Sequence, residues 1–290
     1  THITPPQVLT FLKTERGKHF LQECRRLHIS VEHQLHSMHD LLPRELFSKD
    51  STLFRMNEEG RRSPDFNCCI SSKAALDTIA KYAVNYARQL PSTDHRYYFW
   101  MDDNASVCQC PRCSQYSPSE QALLIENHII RALKKFDPKA TLAHLAYMKT
   151  MEPPLRVKPD KAIFLEFAPV QRVVGRPLAD STAVCFDGKT HADLLRLLHK
   201  NLMVFPARTA VVLEYWLDVS LASKYQKPAV RVPWNKDVFT SDIRTYRSFG
   251  LRNFTTFGVY MDRNYFSRYP DTTFLKEYGA ILNQQTPNKR

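Results

Sequence analysis

The stretch RYYFWMDDNASVCQCPRCSQYSPSEQALLIENHIIRALKKFDPKATLAHLAY, residues 96–147, decides the fold class. Its opening, RYYFWM (96–101), is a short apolar and aromatic run of the kind that forms a strand. Ser117 followed by Pro118 is the chemistry of a helix start, and Leu123, Leu124, Ile129, Ile130 and Leu133 then fall on one helical face before residue 136. ATLAHLAY (140–147) returns to a strand-like run. Strand, helix and strand in this order make a βα repeat, the building block of a parallel sheet.

Outward from this unit the alternation continues. Further strand candidates are ISVEHQLH (29–36), FNCCIS (66–71), AIFLEFA (162–168), TAVVLEYWL (209–217) and NFTTFGVYM (253–261). Helices are expected over 5–27, 73–90, 118–136, 188–203, 236–249 and 273–283, with Ser72 and Asn235 as caps and Gly250 as a stop. Seven strands with a helix before the first predict a (β/α)8 TIM-type barrel that lacks its first strand in this chain, with closure by fewer strands as the alternative. The expected organisation is a single barrel domain over 1–290, with a long active-site loop at 37–65 and a disordered tail at 284–290.

With 290 residues, 43% of them hydrophobic, the chain can bury one sizeable core. No apolar run is long enough to span a bilayer, so the expectation is a soluble chain without a membrane span. It begins with Thr, and removal of an upstream signal would make it secreted or periplasmic. The net charge of +12 favours anionic partners, but the basic residues are scattered and form no stripe interleaved with aromatics. Nucleic acid is therefore not an expected partner.

In a (β/α) barrel the active site lies at the C-terminal ends of the strands. Polar residues fall at or near such ends repeatedly: Glu32, His33 and His36; Asp102 and Asp103 after Trp100; His144 and Tyr147; Glu166; Glu214, Tyr215, Trp216 and Asp218; Tyr260 and Asp262. A carboxylate inside an apolar strand costs several kcal/mol unless paired or hydrogen-bonded, so Glu166 and Glu214 demand a partner or a ligand. Structural tying of strand ends is the alternative for each acid taken singly, and helix capping is the alternative for the Asp102–Asp103 pair. Carboxylates among flat aromatic rings suit a sugar, whose C–H face stacks on the rings while two acids work at the anomeric carbon. Asp102, Asp103, Glu166 and Glu214 are the catalytic candidates, and the remaining residues named here are the substrate-binding candidates.

Seven cysteines at irregular spacing do not describe a disulfide scaffold. Cys108, Cys110 and Cys113 in CQCPRC supply three thiolates within six residues; with Cys69, Cys68 or a histidine as fourth ligand they are candidates for a structural zinc. Reduced thiols or a local disulfide are the alternatives. No GxSxG, P-loop, GxGxxG or HExxH signature is present.

The blocks ECRRLHISVEHQLHSMHDLLPRELF, LFRMNEEGRR, YYFWMDDNASVCQCPRC, LAHLAYMKTMEPP, FLEFAPVQR and VLEYWLDVS resemble the large bacterial family called domain of unknown function 4838, whose members are classed as glycoside hydrolase family 163. The likeness runs from about residue 10 to Gly279. It implies a TIM-barrel glycosidase, an endo-β-N-acetylglucosaminidase acting on complex N-glycans with retention. Such enzymes are thought to use the substrate's acetamido oxygen as nucleophile and to require no redox or nucleotide cofactor. By likeness to other hexosaminidases, Asp103 is assigned as general acid and Asp102 as acetamide partner, with Glu166 or Glu214 as alternatives for either role. The competing expectations are a carbohydrate-binding barrel without turnover and a metal-dependent hydrolase built on the cysteines and a histidine.

Overall fold

A computed structural model describes residues 4–90 and 92–284. The expected tail at 284–290 therefore lies, Gln284 apart, outside the described residues. In chain order the helices and strands are α1 (Pro5–Lys13), α2 (Glu15–Arg26), β1 (Gln34–His36), α3 (Met38–Leu41), α4 (Lys73–Gln89), β2 (Arg96–Trp100), α5 (Pro118–Phe136), β3 (Thr141–Ala146), β4 (Ile163–Phe167), α6 (His191–Leu202), β5 (Val211–Glu214), α7 (Val219–Ala222), α8 (Lys236–Ser248), β6 (Asn253–Thr256), α9 (Arg263–Arg268) and α10 (Thr273–Asn283). None of the described helices is long and apolar enough to cross a membrane.

Side-chain caps set the helix starts. Ser72 accepts from Ala75 N, and Asn235 accepts from Asp237 N and Val238 N. Gly250 follows α8 at φ +87°, the left-handed conformation that glycine adopts without penalty. The single helix expected over 5–27 is two helices, because Thr14 is extended and its Oγ1 accepts from Gly17 N at 3.1 Å, which starts a new helix. Gly17 is required there: a Cβ would stand 2.2 Å from Phe11 O.

Among the described residues, six strands form one parallel sheet in sequential order, β1-β2-β3-β4-β5-β6. This corrects the expected eight-stranded barrel: the sheet is open, with β1 and β6 at its two edges. One expected strand is absent for a clear reason. Residues 66–71 form a loop in which Asn67 takes φ +45° and Cys69 turns toward Cys113 of another loop rather than into a ladder. The expected first strand is also short, Gln34–His36, pairing with Tyr98, Phe99 and Trp100.

The chain divides into two compact units, Thr1–Leu165 and Glu166–Arg290, with the division inside β4. In the first, α4 packs on α5. Ala75, Ala80, Ala83 and Ala87 of α4 and Leu123, Ile129, Ile130 and Leu133 of α5 are all buried. The start of α5 is reinforced by Glu120, whose carboxylate accepts from Ser117 N at 2.9 Å and Arg156 N at 2.7 Å and pairs with the Arg156 guanidinium at 3.1 Å. Burial pushes this carboxyl up, but the Arg156 hydrogen bond and the two backbone donors outweigh it and hold it at about 2, against an ordinary 4.5.

The second unit is pinned by a buried charge network. Arg172 Nη1 donates to Glu214 Oε1 at 2.8 Å and to Asp242 Oδ2 at 2.7 Å, while its Nη2 donates to Arg176 O. Tyr246 OH donates to Glu214 Oε1 at 2.5 Å, and Trp216 Nε1 and Leu178 N donate to the two oxygens of Asp242. The side chains of Arg172, Glu214 and Asp242 are fully shielded from solvent.

Two outcomes follow. Arg172→Met strands two buried acids without their cation and should lower unfolding free energy by about 3–5 kcal/mol in denaturant titration; a loss below about 1 kcal/mol contradicts the pinning role. Glu120 has a folded pKa below its unfolded one, so its contribution is present above pH 4.5 and is lost as pH falls toward 2. Glu120→Gln should therefore be less stable by about 1–2 kcal/mol at neutral pH, the gap closing as the pH is lowered through that window. A gap independent of pH contradicts the assignment.

Candidate functional site

Strand β2 delivers Trp100, Met101, Asp102 and Asp103 to its C-terminal end, and the two acids meet different surroundings. Asp102 is tied down. Its Oδ2 accepts from Asn67 N at 2.6 Å and Arg44 Nη2 at 3.0 Å, and its Oδ1 accepts from His39 N at 3.2 Å. The link to Asn67 is reciprocal, since Asp102 N donates to Asn67 Oδ1 at 3.0 Å. Arg44 Nη1 also donates to Asn67 O at 2.8 Å, so one guanidinium fixes both sides of the clamp.

Asp103 turns elsewhere. Its Oδ1 lies 3.7 Å from His36 Nε2, and its side chain is 29% exposed against 13% for Asp102. His36, at the end of β1, donates from Nδ1 to Met101 O at 2.5 Å. A carbonyl only accepts, so the proton sits on Nδ1 and Nε2 is presented to Asp103. The imidazole is edge-on to Trp100, centroids 5.0 Å apart, and 6.2 Å from the Tyr147 ring.

A narrow pocket of about 30 Å³ opens beside Asp102, lined by His36, Met101, Ala105, Glu126, Tyr147 and Lys149 among others. Glu126, on α5, is buried and pairs through Oε2 with His144 Nδ1 at 2.7 Å. His144 itself is fully buried on β3 and is not among the residues lining the pocket. Glu126, Arg44 and Asn67 are not among the candidates that the sequence marks. Glu126 was hidden inside an amphipathic helix, where an acid usually signals a solvated face. Arg44 did carry a signal, since it lies in the 37–65 loop singled out for its length.

The same loop segments build a thiol cluster. The Sγ atoms of Cys69, Cys108, Cys110 and Cys113 all lie within 4.8 Å of one another and all four residues are buried. Cys69 Sγ is 3.7 Å from Cys113 Sγ and 3.9 Å from Cys110 Sγ. A tetrahedron of sulfurs about 2.3 Å from a zinc ion has edges of about 3.8 Å. The cluster therefore has the donor set and spacing to hold a metal ion. Cys68, buried next door, is not part of it. Gln121, the buried fourth residue of α5, clasps the cysteine loop by accepting from Cys108 N and donating to Cys108 O and Cys113 O.

The other sequence candidates are placed as follows. Glu32 lies before β1 and accepts from Tyr98 OH at 2.8 Å, with Arg96 at 3.4 Å; burial pushes its carboxyl up. His33 is half-buried, and burial lowers its pKa. In the second unit Glu166 is fully buried on β4, Glu214 and Trp216 belong to the Arg172 network, and Tyr215 is buried with its ring 5.2 Å from Phe257. Asp218 caps α7 and Asp262 caps α9 while pairing with Lys227 at 2.5 Å. Tyr260 lies beyond β6 and donates to Tyr225 O. Asp218 and Asp262 thus do capping work that their helix-start positions explain.

The family model described as "Domain of unknown function (DUF4838)" matches residues 9–278, nearly the whole chain. No curated protein and no solved structure gives a match. On the length of that match, the chain belongs to the DUF4838 family.

Proposed function

We propose that this chain is a glycoside hydrolase acting on N-acetylglucosamine-containing glycans, with retention of configuration and the substrate's acetamido oxygen as nucleophile. The observation that carries the reading is the unlike treatment of two adjacent acids at one strand end, Asp102 clamped by three donors and Asp103 facing His36. The resemblance to glycoside hydrolase family 163 supports it.

Substrate-assisted hydrolysis needs two different carboxyl groups, one that moves a proton and one that stays an acceptor. In this reading Asp103, backed by His36, gives a proton to the departing glycosidic oxygen and later takes one from the incoming water. The acetamido oxygen attacks the anomeric carbon as that bond breaks. Asp102 Oδ1 accepts one protein hydrogen bond, so a lone pair remains for the acetamide N–H. Trp100 and Tyr147 stand beside His36, Tyr147 on the pocket wall. The four-cysteine cluster takes a structural zinc. A catalytic role for that metal is disfavoured because four buried thiolates leave no position for water or substrate.

With aryl glycosides and N-glycans as substrates, Asp103→Asn should lower kcat/KM by about 10²–10⁴-fold while glycan binding and the melting temperature stay near those of the parent chain. Full turnover by Asp103→Asn would overturn the assignment. Glycan binding by the parent chain with no cleavage of any substrate would favour a binding module.

A further inference from the structure

We infer that a soft divalent cation, zinc, bound by Cys69, Cys108, Cys110 and Cys113 sets the register of the loop that carries Asp102 and Asp103. The first support is the donor shell. Ser71 Oγ lies 3.1 Å from Cys69 Sγ and 3.8 Å from Cys110 Sγ, Met56 N donates to Cys108 Sγ at 3.3 Å, and Arg62 Nη1 stands 3.8 Å from the same sulfur. Four thiolates around a divalent ion carry a net charge of −2, and a guanidinium with hydroxyl and amide donors is what such a centre requires around it. Disulfide pairing is not the explanation: the cysteines are free, and the 3.7 and 3.9 Å sulfur separations far exceed a bond length.

The second support is connectivity. Cys69 is two residues from Asn67, and Asn67 is the clamp on Asp102. The loop after Asp103 runs directly into Cys108, and Asn67 Nδ2 donates to Ser106 O at 2.9 Å between the two. Gln109 N donates to Met56 O, and Cys69 N to Leu53 O. The metal centre and the Asp102 clamp are therefore two of the fastenings between the same two stretches, 53–69 and 102–113. Metal loss removes the first and leaves fewer ties on the second, so it should loosen Asp102.

The catalytic consequence rests on the glycosidase reading; the metal and loop consequences do not. The test is metal analysis with hydrogen exchange on the purified chain. About one zinc per chain is expected. Stripping it with a strong chelator under native conditions should speed exchange of the Asn67 and Asp102 amides at least about tenfold, with recovery on adding zinc. Cys113→Ser should lose the metal, whereas Cys24→Ser and Cys185→Ser should keep it. Should Cys113→Ser fail to fold, the chelated parent chain still gives the answer. Absence of bound metal, or unchanged exchange after its removal, overturns the inference. Loss of turnover tracking loss of protection extends it to catalysis, and a chain with no glycosidase activity leaves the metal and exchange results to decide it.

Discussion

The carboxylate of Asp102 accepts hydrogen bonds from the backbone of Asn67, the backbone of His39 and the guanidinium of Arg44, three donors that are distant from it in sequence. A partly buried carboxylate with three donors is strongly held, and each donor in turn is fixed by what it holds. Through this contact the end of β2 is joined to the loops after β1 and before α4. Asp103 is the next residue along this backbone, and its Oδ1 lies 3.7 Å from His36 Nε2.

Much of the element order was legible from local signals. The 96–147 unit reads correctly because its helix has a Ser–Pro start and a clean apolar face, and the strands on either side are short and apolar. Closure was not legible. A βα alternation looks the same in an open sheet and in a barrel, since each unit senses only its neighbours, and FNCCIS supplied a false seventh strand. Its apolar look comes from cysteines that are buried by loop contacts, not by a ladder.

The cysteine cluster was partly legible. CQCPRC points to three ligands by spacing alone, and Cys69 was a named candidate for the fourth, but only the folded chain separates it from Cys68, one residue away. The acids were harder. Glu214 interrupts an apolar strand and so attracts attention, yet its partners Arg172 and Tyr246 are 42 and 32 positions away, and no local pattern announces them. Asp218 and Asp262 precede short helices, which is the signal of a cap, and capping is what they do. Arg44 and Asn67 show the reverse case, ordinary loop residues whose importance comes from what they touch.

The central claim is that the Asp102–Asp103 strand end is where a sugar is cleaved. A crystal structure with a thiazoline mimic of the cyclised N-acetylglucosamine intermediate tests it most directly. The account predicts the fused ring against Asp102 and the pocket beside it, with its anomeric carbon facing Asp103. A mimic bound away from both acids, or excluded from the crystals at saturating concentration, would contradict it.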